Sequence, residues 1–191
     1  MSKPNTNQCF KSILFELKDT IERFESHLPL VVEAGNIIKN GLSAGRKIIT
    51  AGNGGSAADA MHLVEELIGK FEKFRGPYSA ISLCADPTVL TCIGNDFGFE
   101  NIFARQVEGI SNSGDILIVF STSGNSINLF KAVEIASIKG LKTIALLGKS
   151  GGYLKGKCDV EIIVPSSNTA RIQELHTLVL HMWLYHLEKE I

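Results

Sequence analysis

The sequence predicts an α/β protein: a three-layer αβα sandwich on a five-stranded parallel sheet, preceded by two helices. Three observations lead there. From residue 46 onward, short apolar runs alternate with stretches of helical spacing, the pattern of strand–helix units joined by right-handed crossovers. Residues 115–120 read Asp-Ile-Leu-Ile-Val-Phe, an uninterrupted apolar run suited to a central parallel strand covered on both faces. The chain has 191 residues, 45% of them hydrophobic and 20% charged, enough for one ample core and too few for two ordinary domains. Residues 1–191 therefore read as a single domain, with 1–45 a helical pair and 46–191 the parallel core.

Each element has a local reason. Phe10 to Phe24 carries apolar residues at 10, 13, 14, 17, 21 and 24, which is helical spacing. A second helix follows Pro29 and ends between Gly41 and Gly45. Two helices ahead of the first strand lie outside any strand–helix–strand unit, so they are expected to cover a sheet edge or pack against another subunit. Strands are expected at 47–51, 78–83, 115–120, 142–147 and 159–164, with helices at 57–70, 99–110, 126–139 and 169–189. Asp86-Pro87 opens a short helix through Ile93, and residues 94–98, Gly-Asn-Asp-Phe-Gly, read as a turn. Pro165 stops the fifth strand, and Thr169 is placed to cap the last helix.

Bulk properties exclude several classes. A net charge of −1 leaves no basic excess for nucleic acid and no polybasic block for a membrane surface. No apolar run approaches the ~18 residues of a membrane span. Met1 to Phe10 is polar and lacks the apolar core of a secretion signal. Cys9, Cys84, Cys92 and Cys158 show no CxxC spacing and read as reduced thiols of a cytoplasmic protein.

Two loops follow strands where an open parallel sheet binds ligands. Gly52-Asn53-Gly54-Gly55-Ser56 joins a strand to a helix whose first turn Ser56 or Asp59 is available to cap. This geometry presents backbone N–H groups and a positive helix end to an anion. It matches neither the Walker A nor the dinucleotide pattern, and alone reads equally as a tight turn with no ligand. Ser121-Thr122-Ser123-Gly124-Asn125-Ser126 follows the most apolar strand, with four hydroxyls, one glycine and no Lys or Arg. Neutral donors opening a helix suit a sugar phosphate that is held rather than transferred.

Helix spacing supplies the other candidates. His62 and Glu66 are four residues apart, within about 40° around a helix, and Glu65 lies near that face. An imidazole and a carboxylate on one face can share a divalent metal or divide acid and base work; the plainer alternative is a solvated Glu pair beside a half-buried His. In the last helix, Gln173 and His181 are roughly 80° apart and can line one cavity. His176 is turned about 140° from His181 and is expected elsewhere, at a subunit contact; His186 reads as surface or interface.

These segments, together with Asp59-Ala60-Met61-His62, Glu65-Glu66-Leu67, Gly94 to Gly98 and Arg171-Ile172-Gln173-Glu174, resemble the phosphoheptose isomerases, also called sedoheptulose 7-phosphate isomerases, of the flavodoxin-like SIS fold. The resemblance runs in order over nearly the whole chain. It implies an aldose–ketose isomerase acting on a phosphorylated seven-carbon sugar, converting sedoheptulose 7-phosphate to glycero-manno-heptose 7-phosphate, the first step toward nucleotide-activated heptose for surface polysaccharides. It implies a homotetramer with sites between subunits, and one zinc ion held by His62, Glu66, Gln173 and His181. Substrate positions would be Asn53, Gly54, Gly55, Ser56, Glu66, Asn95, Asp96, Ser121, Thr122, Ser123, Ser126 and Gln173, with Glu66 as base and His181 as acid or second base. Lys70 stands where some relatives carry Arg, and Glu66 carries two labels, ligand and base. Two other readings share the pattern: an SIS-fold protein that binds a replication initiator without catalysis, and an isomerase of another phosphosugar.

Overall fold

The computed structural model describes residues 5–189. Two helices come first, α1 (Thr6–Phe24) and α2 (Leu28–Ser43). The core then runs β1 (Ile48–Gly52), α3 (Gly55–Ile68), β2 (Ala80–Ser82), α4 (Pro87–Phe97), α5 (Ala104–Ile110), β3 (Ile116–Ser121), α6 (Ile127–Ile138), β4 (Lys142–Gly148), β5 (Val160–Val164) and α7 (Thr169–Glu188). All strand pairs are parallel and the order is β2-β1-β3-β4-β5. The order reverses direction between β1 and β3, so the two loops singled out above flank the topological switch point.

The continuous apolar runs resolve into two faces because side chains alternate along a strand. Ile116, Ile118 and Phe120 join Ile144 and Leu146 under α2, α3 and α7. Leu117 and Val119 join Ile49, Ala51, Ala145 and Leu147 under α5 and α6. That is the expected three-layer sandwich. α2 is locked onto α7 by the buried Trp183 indole, which donates to the Val31 carbonyl at 3.0 Å. Gly35 permits this approach, since a Cβ there would lie 3.2 Å from the Trp183 ring. α1 sits on the start of α7, where Arg171 donates to the Ile13 carbonyl at 3.0 Å, and it leaves Phe10, Leu14 and Phe15 more than 60% exposed. The helical pair thus packs over β5 and α7, and among the described residues nothing covers part of α1.

Three local expectations are corrected. Residues 94–98 are not a turn: α4 continues through Phe97 and ends at Gly98, whose φ of 86° the glycine allows. The single helix expected at 99–110 is a 3₁₀ turn at Phe99–Asn101 followed by α5. Asn168, not Thr169, caps α7, accepting from the Ala170 N–H at 3.0 Å. Asn168 has the extended backbone a cap requires, and Thr169 is already helical.

Candidate active site

The turn after β1 is made by backbone alone. Gly54, at φ 57° and ψ −122°, opens α3 with no side-chain cap. The N–H groups of Ser56 and Ala57 donate back to the Asn53 and Gly54 carbonyls at 3.1 and 3.0 Å. Ser56 is buried and Asp59 turns to α7, so neither caps the helix as expected. Asn53 forms a reciprocal amide pair with Asn128 in the first turn of α6, at 3.0 and 2.9 Å. Its side chain therefore ties the two loops together across the switch point.

In the loop after β3, Ser121 Oγ accepts from the Gly124 N–H at 3.1 Å and lies 3.5 Å from Ser126 Oγ. Ser123 Oγ accepts from the Asn125 N–H at 3.2 Å. Thr122, Ser123 and Ser126 are half-buried, and Ser126 leads into α6 with extended backbone. Gly124, at φ 68°, backs onto the next loop, where an added Cβ would lie 1.8 Å from the Gly151 carbonyl oxygen. Hydroxyls and helix-end N–H groups are gathered where the sequence placed an anion cradle.

His62, Glu66, Gln173 and His181 lie along the seam where α3 and α7 run side by side in the same direction. Three rungs cross it. Gln173 reaches Gly55, where an added Cβ would fall 2.1 Å from its Nε2. Thr177 donates to Asp59 Oδ1 at 2.9 Å. The His62 and His181 rings meet edge to face, centroids 5.1 Å apart. His62 and Gln173 thus stand on one face of the sheet, two rungs apart, although about 110 residues separate them. The other oxygen of Asp59 is buried without a partner among the described residues. Burial pushes this carboxyl above its ordinary range, against the lowering by the Thr177 hydroxyl and by His62.

His62 Nε2 lies 3.6 Å from Glu66 Oε1. With Glu65 these side chains bring ligand atoms within 4.8 Å of one another, the one such group of three His, Cys, Asp or Glu among the described residues. One nitrogen and two carboxylate donors suit a divalent cation. His181 is outside that group but against His62, and its other side stacks on Phe71 at 5.6 Å and 21°. Gln173 stands at the far end of the seam.

Other expected residues sit apart. Asn95 and Asp96 are exposed on α4, where the Asn95 amide donates to Asp96 at 2.7 Å. His176 is not at a subunit contact: it is fully buried under β4, and its Nε2–H donates to the Leu147 carbonyl at 3.0 Å. A turn of about 140° from His181 aims it at the sheet. His186 is half-exposed and bonds Asn36 at 2.9 Å. Lys70 is exposed, its ammonium 5.2 Å from the Phe74 ring centre. Sequence reasoning missed Asn128, a polar residue among Ile127, Leu129 and Phe130, which was the available signal. It also missed Thr177 and Phe71, which nothing in the sequence sets apart.

Comparison with known proteins agrees with this fold. The SIS domain model matches residues 14–148. The phosphoheptose isomerase of Nitratiruptor sp. is 49% identical over 88% of this chain and 91% of its own length. That of Vibrio cholerae is 43% identical over 95% and 96%. The solved structure of a phosphoheptose isomerase from Francisella tularensis superposes with a TM-score of 0.94 at 35% identity, covering 97% of this chain and all of that one. On these grounds, and with the five-stranded parallel sheet, the chain belongs to the phosphoheptose isomerase family.

Proposed function

We propose that the chain converts sedoheptulose 7-phosphate to D-glycero-D-manno-heptose 7-phosphate, the first step toward nucleotide-activated heptose for lipopolysaccharide or capsule. The observation that carries this reading is the α3–α7 seam, which brings Glu66 and His181 each against His62. The loop of Ser121, Thr122, Ser123 and Ser126 holds the distal phosphate through hydroxyls and N–H groups, so that remote binding places the reacting carbons. Gly54, Gly55 and Ser56 offer a second set of N–H groups, and Gln173 a side-chain amide.

Glu66 takes the proton from C1 of the ketose, and the electron pair forms the C1–C2 enediolate with its charge on O2. His181 moves the proton between the two oxygens, and a proton returned to C2 completes the aldose. The whole exchange is internal and needs no oxidant or reductant. His62 and Glu66, with His181 against them, would hold one zinc ion, which when bound would act as a Lewis acid on the carbonyl; Gln173, two rungs away beside Gly55, would have to swing along the seam to join them. Glu65 beside Glu66 gives the turn a second carboxylate, which eases the conflict between holding a cation and taking a proton.

Asn95 and Asp96, remote from the seam, serve a site completed by a neighbouring copy. The uncovered apolar residues of α1 support a homotetramer. Free Cys84, Cys92 and Cys158 support a cytoplasmic location. Among the described residues no helix is long and apolar enough to cross a membrane.

Turnover of sedoheptulose 7-phosphate by the purified protein, with chelator and then with added zinc, tests the proposal. Activity that falls with chelator and returns with zinc is the expected result. Activity indifferent to chelator removes the zinc. No turnover in any condition removes the heptose reading, and a panel of five- and six-carbon ketose phosphates then separates another phosphosugar from a non-catalytic role.

A further inference from the structure

Between α3 and β2 the chain makes a strap, residues 69–78, anchored on a buried carboxylate of α7. The Glu188 carboxylate accepts from three consecutive backbone N–H groups, those of Phe71, Glu72 and Lys73, at 3.2, 2.8 and 2.9 Å. It also accepts from Arg75 Nε at 3.0 Å. Arg75 then reaches across to the end of α3, donating to the Glu66 carbonyl at 2.7 Å and the Leu67 carbonyl at 2.9 Å. Both side chains are buried, 4% and 3% exposed. Burial works against the Glu188 charge, but the three N–H groups and Arg75 outweigh it and hold the carboxyl below its ordinary range.

One end of this pair holds a candidate catalytic residue, and the other reaches one through the strap. Glu188 lies seven residues beyond His181, two turns along the same stripe of α7. Arg75 holds the backbone of Glu66 itself. The strap so fixed lays Phe71 on the outer face of His181, whose inner face meets His62. A buried ion pair is weak evidence for stability, since apolar residues of like volume often do as well. Its value here is directional: it sets where Glu66 and His181 stand relative to each other.

We propose that Arg75 and Glu188, acting through Phe71, are positioning residues that hold Glu66 and His181 in register for proton transfer. The role in the reaction rests on the isomerase reading above; the placement of His181 does not. Phe71→Leu keeps the ion pair and removes the stacked ring, Phe71→Tyr keeps the ring, and the paired change Arg75→Met with Glu188→Leu replaces the ion pair with apolar volume. Each variant is compared with wild type in melting temperature, oligomeric state, kcat, KM and the crystal structure.

We expect Phe71→Leu to stay folded, to swing the His181 ring off His62, and to lose about ten- to hundredfold in kcat with KM within about twofold. Phe71→Tyr restores both ring and rate. The paired variant, which also strips the strap N–H groups of their acceptor, melts lower but stays folded and loses kcat likewise. A folded Phe71→Leu protein with His181 in place, or with wild-type kcat, overturns the proposal, as does a paired variant that is fully active. If wild type turns over no sugar phosphate while Phe71→Leu displaces His181, the isomerase reading fails and the positioning of His181 stands.

Discussion

His176 should make this protein lose stability in mild acid, and the size of the loss follows from its surroundings. The ring is fully buried against β4. Its Nε2–H is committed to the Leu147 carbonyl, so a second proton must go to Nδ1, which is buried without a partner among the described residues. Burial therefore drives the pKa from 6.5 down to about 4, with the Leu147 hydrogen bond opposing only part of the shift. A base whose folded value lies below its unfolded value favours the unfolded chain once pH drops under the unfolded value. Stability is then full above pH 6.5 and falls until pH reaches the folded value. Linkage over those two values gives a loss of roughly 2 kcal/mol between pH 7 and pH 5. The assay is urea unfolding at both pH values and fixed protein concentration, for wild type and His176→Gln, which keeps a side-chain donor but cannot titrate. Other groups contribute equally to both proteins and cancel in the comparison. The variant should be less sensitive to the pH change by about 2 kcal/mol; equal sensitivity would refute the buried neutral imidazole.

Three further outcomes are expected. Glu66→Gln should lower kcat by about a thousandfold with fold and oligomer intact, and a fully active variant would remove Glu66 as the base. Gly55→Ala should displace the flexible end of Gln173, reducing kcat/KM about tenfold while urea unfolding changes by less than about 1 kcal/mol, because the displaced atoms are a half-buried side-chain tip. Asn128→Ala should leave the Asn53 amide unpaired, costing about 1–3 kcal/mol in unfolding free energy and raising KM as the two loops lose their tie; a KM equal to wild type would count against that tie.

Elements governed by local chemistry were legible in the sequence. The strands 116–121, 142–148 and 160–164 fall within a residue of expectation because a doubly covered parallel strand must be apolar throughout. Residues 94–98 misled because glycine, asparagine and aspartate favour turns, yet packing of Ile93 and the stop at Gly98 carry α4 through them. The cap of α3 was misread for the opposite reason: Gly54 supplies the turn through its positive φ, so the hydroxyl and carboxyl nearby were free for other partners. His62 and Glu66 were legible as a pair because four-residue spacing dictates it. The Gly55–Gln173 and Asp59–Thr177 rungs and the Arg75–Glu188 pair join residues more than a hundred apart, and only the crossover topology brings them together.

α3, α6 and α7 all begin at the same edge of the sheet, after β1, β3 and β5. Each helix start carries about half a positive charge from aligned peptide dipoles, so the edge holds roughly one and a half charges built from main chain. That potential has no pKa and cannot be removed by replacing a side chain. Attraction for a phosphate dianion should then follow only the ligand's own second ionisation near pH ~6. A scan replacing every lysine and arginine would leave this anchor undetected.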